Sequence, residues 1–322
     1  MKNEFTTNIK MTTRVENIKS TEYPISREKL ELYEKLGLSE MVPRGTPVGL
    51  TFELHDTTTA LVNAFRRCSN TDIPVSLLDV EETDIKSDDP FIVPHWLRNE
   101  IRSINIKQIE TGTFHINEYN NTDEIISVYS GAIKDNKNPD NVICWHTIKI
   151  ADLRPGCSLH VNNIRIAIGN AAADAFYSFS GRVCFAQLSD NSYKITIPRQ
   201  TWFDPLRIVE LTINTLEAMI TKAHDIINEN KTDTVTSEVS ISFIPGQATY
   251  RFENQSYTLG NILVEYCQIA DKKITNVHCI RHHPSYTYIE VGLRHAEPRE
   301  VLLSATALIK KELATIKSAL FT

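Results

Sequence analysis

Residues 52–65 recur, without a gap, at residues 250–263 of this chain of 322 residues. Placing FELHDTTTALVNAF over YRFENQSYTLGNIL sets Phe52 on Tyr250, Leu54 on Phe252, Asp56 on Asn254, Thr58 on Ser256, Leu61 on Leu259, Asn63 on Asn261 and Phe65 on Leu263. Each copy reads as a strand of alternating polarity, a short polar turn and an amphipathic helix. Two copies are too few to stack into a solenoid, so the repeat predicts a packed internal pair.

The copies also close alike. Asp204-Pro205 and Glu297-Pro298 each open a long helical pattern. Proline suits the first helical position, and an acidic residue beside it favours the positive end of the helix dipole. The first closing helix carries Val209, Ile213, Leu216 and Ile220 as a stripe, and the second carries Val301, Leu308, Leu313 and Ile316. The opening motifs lie 198 positions apart (261 − 63) and the closing ones 93 (298 − 205). The first copy therefore holds about 105 extra residues, enough for a small inserted domain.

These landmarks divide the chain. Residues 1–45 form an N-terminal extension with one predicted helix, Ser26 to Gly37. Residues 46–107 and 191–229 form the first module, and residues 108–190 the insert. Residues 230–236 read as a linker, and residues 237–322 as the second, smaller module. The insert reads as strands at Ile125–Tyr129, Val142–Trp145 and Leu159–Val161, broken by polar turns.

In the first repeated helix, Leu61, Ala64, Phe65 and Cys68 share one face. In the second, Leu259, Ile262, Leu263 and Tyr266 do. Asp56 or Thr57, and Asn254 to Ser256, are the candidate caps. Gly260 costs roughly 1 kcal/mol against Ala in a helix, which is best tolerated where another backbone comes close. Leu61, Ala64, Phe65, Leu259, Gly260, Ile262 and Leu263 are thus the candidate interface between the copies. Asn63, Arg66 and Arg67 lie off that stripe. From the residues alone, Arg66 and Arg67 read as a solvated basic helix end that complements the helix dipole.

No apolar run reaches the roughly 18 residues that span a membrane, and the N-terminal stretch lacks the apolar core of a signal peptide. A formal net charge of −6 argues against a stand-alone nucleic-acid binder. The six cysteines, Cys68, Cys144, Cys157, Cys184, Cys267 and Cys279, show no C-x-x-C spacing, so no metal is predicted. His282-His283 reads as two residues of a strand pointing to opposite faces, and Asp88-Asp89 as a solvated turn before Pro90. There is no P-loop, glycine-rich dinucleotide loop, G-x-S-x-G or Asp-x-Asp-x-Asp string. No cofactor and no active site of its own are expected.

Gly49-Leu50-Thr51-Phe52-Glu53-Leu54, Ala60-Leu61-Val62-Asn63-Ala64-Phe65-Arg66-Arg67, Asp72-Ile73-Pro74 and Phe91-Ile92-Val93-Pro94-His95-Trp96-Leu97-Arg98 together resemble the larger α-like RNA polymerase subunits: bacterial α, archaeal D and the third-largest subunit of polymerase II. Tyr257-Thr258-Leu259-Gly260-Asn261-Ile262-Leu263, with His283-Pro284 downstream, resembles the smaller partner, archaeal L and the eleventh subunit of polymerase II. The resemblance covers roughly residues 46–322, weakest across the insert. It implies an α+β fold in which two α-like dimerisation modules, each of antiparallel strands plus helices, form an intramolecular pseudo-dimer, with a mostly β insert in the first. Such fusions resemble the polymerase subunit of large nucleocytoplasmic DNA viruses. The unpaired Cys144, Cys157 and Cys184 depart from relatives that bind zinc in the insert. The DNA-reading C-terminal module of bacterial α is not expected.

The resemblance further implies a non-catalytic assembly platform for the largest and second-largest polymerase subunits, with small polymerase subunits as further partners. Asn63, Arg66 and Arg67 would dock the large subunits. Little or no direct nucleic-acid contact, no membrane contact and no homodimer are expected. A viral source would place the chain at viral factories in the host cytoplasm, with packaging in the virion left open. Two alternatives stand beside it: a transcription-related binding module with an internal dimer that is not a core polymerase subunit, and an enzyme built on the insert.

Overall fold

The computed structural model describes residues 13–20, 49–178, 182–198, 204–229 and 247–321. The predicted helix at Ser26 to Gly37 and the linker at 230–236 lie outside them. The fold mixes helices with antiparallel sheets, compatible with the α+β class. Its described residues form two compact units, 13–20, 49–69, 183–198, 205–229 and 247–321 in one, and 70–178, 182 and 204 in the other.

In the first unit, four antiparallel strands lie in the order β1 (Arg14–Ser20), β2 (Gly49–His55), β11 (Ser192–Pro198), β10 (Cys184–Ser189). Register decides which face is buried, because side chains alternate along a strand. Leu50, Phe52 and Leu54 sit opposite Ile197, Ile195 and Tyr193, and all six are buried. Helix α1 (Thr59–Thr71) follows β2 and buries Leu61, Val62, Ala64, Phe65, Cys68 and Ser69. Phe65 meets Phe52 edge to face, at 6.0 Å between ring centroids.

The second copy of the repeat builds a matching piece. A three-stranded sheet runs β12 (Gln247–Phe252), β14 (Ile289–Arg294), β13 (Asn276–Ile280). Ala248, Tyr250 and Phe252 pair with Leu293, Val291 and Ile289, again all buried. Helix α4 (Tyr257–Ala270) then buries Leu259, Ile262, Leu263, Tyr266 and Cys267.

Helices α3 (Pro205–Glu229) and α5 (Pro298–Phe321) each begin at the proline marked in the sequence. Val209, Ile213, Leu216 and Ile220 of α3 are fully buried. The stripe on α5 is corrected. Leu308 is only half-buried, and the buried face runs through Leu302, Ala305, Ile309, Leu313 and Ile316. It also takes in two polar residues, Thr306 and Glu312.

The second unit is mostly β. Strands β3 (Val75–Asp79), β9 (Ser158–Gly169), β5 (Thr113–Tyr119) and β7 (Lys134–Asp135) form a sheet, with β4 (Ile85–Ser87) also on β9. Strands β6 (Ile126–Tyr129) and β8 (Lys149–Leu153) pair separately. Helix α2 (Pro94–Ser103) packs on β3 and β8 through Leu97 and Ile101. Their core includes Leu78, Phe114, Val128, Leu153, Val161 and Ile164.

Three local expectations are overturned here. Val142–Trp145 is not a strand; it makes one isolated bridge, Ile106 to Cys144, and Ile143 and Cys144 turn into the core. Asp89 is not solvated: it is 2 % exposed. Its carboxylate accepts from Arg154 N (2.9 Å), Arg154 Nε (3.1 Å) and Phe91 N (3.0 Å). His282-His283 follows the end of β13 in a turn, where His282 meets Glu290 and His283 meets Ser285.

Candidate assembly interface

The turn between strand and helix uses the same device in both copies. Asp56 and Asn254 stand at equivalent positions and both adopt the left-handed conformation, with φ of 57° and 54°. Asp and Asn tolerate that region best among residues with a Cβ. Two residues later a hydroxyl caps the helix. Thr58 Oγ1 accepts from Leu61 N (3.1 Å), and Ser256 Oγ accepts from Thr258 N (3.2 Å). The sequence had proposed Asp56 or Thr57 as the first cap; Asp56 instead reverses the chain and pairs with Arg14 at 3.1 Å.

Hydrogen bonds join the repeated helices. Ala60 N donates to Glu265 Oε2 at 2.8 Å, and Arg67 Nε donates to Thr258 Oγ1 at 2.9 Å. The first ties the start of α1 to the later half of α4, and the second ties the later half of α1 to the start of α4. The helices therefore run antiparallel. Arg66 turns back on its own helix and donates twice to Asn63 Oδ1, at 3.1 and 2.9 Å. Arg67 is exposed and Arg66 half-buried.

Among the apolar candidates, Leu61, Ala64, Phe65, Leu259, Ile262 and Leu263 are all at most 2 % exposed. Gly260 is accounted for by the sheet of its own half. A Cβ there would meet Cys279 Sγ at 2.1 Å and Ile289 Cδ1 at 3.0 Å. The close neighbour is a pair of side chains on β13 and β14 rather than another backbone.

The long helices extend the joint. His224 Nδ1 lies 2.8 Å from Thr306 Oγ1, Lys317 Nζ donates to Asn214 Oδ1 (2.9 Å), and Arg299 donates to Ile227 O (3.2 Å) and Asn228 O (2.9 Å). Positions rise along α3 as they fall along α5, so this pair is antiparallel too. Helix α5 also packs on α4 and touches β1. At that junction the buried Glu312 accepts hydrogen bonds from Tyr266 OH and Thr13 Oγ1. Burial and the neighbouring Glu312 carboxylate push the Tyr266 phenol far above its usual range. Nothing in the sequence flagged this trio, because a glutamate at a helical core position reads as surface.

All six cysteines are free. Burial pushes the thiols of Cys144 and Cys279 up to about 11 and that of Cys267 to about 12, which leaves little nucleophilic thiolate. Among the described residues, no group of three or more His, Cys, Asp or Glu is arranged to hold a metal ion. Among them too, no helix is long and apolar enough to cross a membrane.

No family model matches the chain. Part of it is similar to viral polymerase subunits. It is 28 % identical over 162 residues to the "DNA-directed RNA polymerase RPB3-11 homolog" of African swine fever virus, strain Badajoz 1971 Vero-adapted, a match covering 48 % of this chain and 45 % of that protein. The proteins of the same name from isolates Tick/South Africa/Pretoriuskop Pr4/1996 and Warthog/Namibia/Wart80/1980 match with the same identity and coverage. The match thus spans less than half the length of these relatives.

Proposed function

We propose that this chain is a non-catalytic subunit of a viral DNA-directed multisubunit RNA polymerase. In this reading its two repeated modules form a fused, intramolecular pair that serves as the assembly platform for the two large catalytic subunits. The observation that carries it is the reciprocity of the two hydrogen bonds between α1 and α4. Ala60 and Thr258 are 198 positions apart (258 − 60), and so are Arg67 and Glu265 (265 − 67). Adding the repeat offset turns each bond into the other. That is the property of a twofold interface, in which residue i meets j and j meets i. The closing helices support the same symmetry. With their offset of 93, the His224–Thr306 contact maps onto Lys317 with Ile213, and Lys317 bonds Asn214, one residue along.

The polymerase assignment draws its support from the names of the viral relatives, together with the motifs at residues 60–67 and 257–263. Fusion would fix one-to-one stoichiometry and raise the effective concentration of the two modules to the mM range. It would also occupy the surface that a second copy could use, so the chain would be monomeric apart from its polymerase partners. The site of action would be the viral transcription site, in factories of the host cytoplasm. The active site of the polymerase would lie on other chains.

Arg67 already serves the internal joint, so Arg66, with Asn63 as its anchor, is the cleaner candidate for contact with a large subunit. The test is tagged purification of this chain from infected cells. Recovery of both large polymerase subunits supports the proposal. A tagged chain that elutes without them, in an extract where the polymerase is active, contradicts it.

A further inference from the structure

The second unit carries an unusual concentration of exposed apolar side chains. Phe91 is 74 % exposed, Val93 39 % and Trp96 68 %, all within six residues of sequence. Isolated exposed apolar residues are ordinary, but a cluster containing Trp and Phe is not. Trp is also among the side chains that dominate binding energy at protein interfaces.

The stretch is held rather than loose. The buried Asp89 carboxylate accepts from Phe91 N and from Arg154, and Ile92 N donates to Asp89 O at 3.1 Å. The Arg154 guanidinium in turn lies 4.4 Å over the Phe91 ring. Pro94 opens α2 and fixes the chain direction just before Trp96. An aromatic pair presented on a rigid frame loses little conformational entropy on binding.

The rim is acidic. Glu82 is exposed and 3.1 Å from His95, Asp88 is exposed, and Glu100 lies one helical turn beyond Trp96 on the same side. The nearby cations are largely neutralised within the unit. Arg98 and Arg102 are paired with Asp79 and Asp174, and Arg154 with Asp89. Lys86 on β4 is an exposed cation nearby.

We infer that Phe91, Val93 and Trp96 form a docking site for another protein subunit, one that offers an apolar recess flanked by lysine or arginine side chains. The charge rules out a nucleic-acid backbone as the favoured occupant, since carboxylates repel phosphate. It also disfavours a second copy of the same patch, which would set carboxylates against carboxylates. The inference rests on the polymerase reading for the identity of the assembly, and its partner is one of the other polymerase subunits.

The experiment places p-benzoylphenylalanine at position 96 of the tagged full chain, made in infected cells, and irradiates the purified assembly. Parallel hydroxyl-radical footprinting compares the free and assembled chain at Phe91 and Trp96. The expected result is a cross-link to one polymerase subunit, at a peptide with apolar residues beside Lys or Arg, and at least about fivefold protection of Trp96 in the assembly. Phe91→Ser with Trp96→Ser should lower retention of that subunit about tenfold or more, and Glu82→Lys with Glu100→Lys should lower it at low salt more than at high salt. An assembled polymerase in which Trp96 stays as reactive as in the free chain overturns this inference and leaves the polymerase reading standing. A cross-link to nucleic acid or to a second copy also overturns it. A chain that recovers no polymerase subunits overturns both.

Discussion

Arg67 and Thr258 form a bond that no pattern of residue types could have announced, since its two ends are 191 residues apart. Its energy is open to a double-mutant cycle. Arg67→Ala and Thr258→Ala should each destabilise the chain modestly, and the pair should show a coupling of about 0.5–1.5 kcal/mol. Additive effects in urea unfolding would mean the bond does not form in solution. Arg66→Glu should leave the melting temperature within a degree or two, because it breaks only a local contact to Asn63, yet weaken capture of the large subunits.

Asp89 gives a prediction in pH. Burial raises its pKa, but the amides of Phe91 and Arg154 and the Arg154 guanidinium outweigh that and hold the carboxyl below the usual carboxylate range. A group whose pKa is depressed on folding contributes stability above its unfolded value, near 3.9, and loses it as pH falls through the folded value. Asp89→Asn should therefore cost about 1–3 kcal/mol at pH 7, with the difference from wild type shrinking below about pH 4. A difference that is flat between pH 3 and pH 7 would assign the effect to packing alone.

At the level of elements, the repeat was legible for clear physical reasons. Phe52 with Leu54, and Tyr250 with Phe252, alternate as a half-buried strand must. The capping hydroxyls Thr58 and Ser256, and the prolines at 205 and 298, mark helix starts through backbone chemistry that is local in sequence. What escaped was non-local. Glu312 reads as a surface residue until Tyr266 of α4 and Thr13, just before β1, satisfy its oxygens. Asp89 reads as a loop carboxylate until Arg154, 65 positions away, closes over it. Val142–Trp145 reads as a strand because it is apolar, although burial and sheet pairing are separate properties.

Two substitutions probe the elements. Leu259→Asp puts an unpaired carboxylate on the fully buried face of α4, at a cost of several kcal/mol or about that order. Circular dichroism should show loss of cooperative melting near physiological temperature, and a normal melt would place that face in solvent. Gly260→Ala is the finer probe. Its added Cβ collides with Cys279 Sγ unless the sheet shifts, so a loss of about 1–3 kcal/mol is expected although alanine favours helix. A gain in stability would mean that α4 sits farther from β13 and β14 than described.

For the whole molecule, the central proposal is that two modules built on one sequence pattern meet across a reciprocal interface, with the covalent link between them a convenience rather than the source of their union. The joint uses the antiparallel pairs α1 with α4 and α3 with α5, closed by bonds from Ala60, Arg67, His224, Arg299 and Lys317. Interfaces of obligate pairs are commonly about 2,000 Å² or more and strongly apolar, so each half alone should expose a large greasy surface. The most direct measurement is co-expression of residues 1–231 and 234–322 as separate chains, with a tag on one only. The account predicts a one-to-one complex that co-purifies through gel filtration and poor solubility of either fragment made alone. Two fragments that are each soluble and elute separately would contradict it.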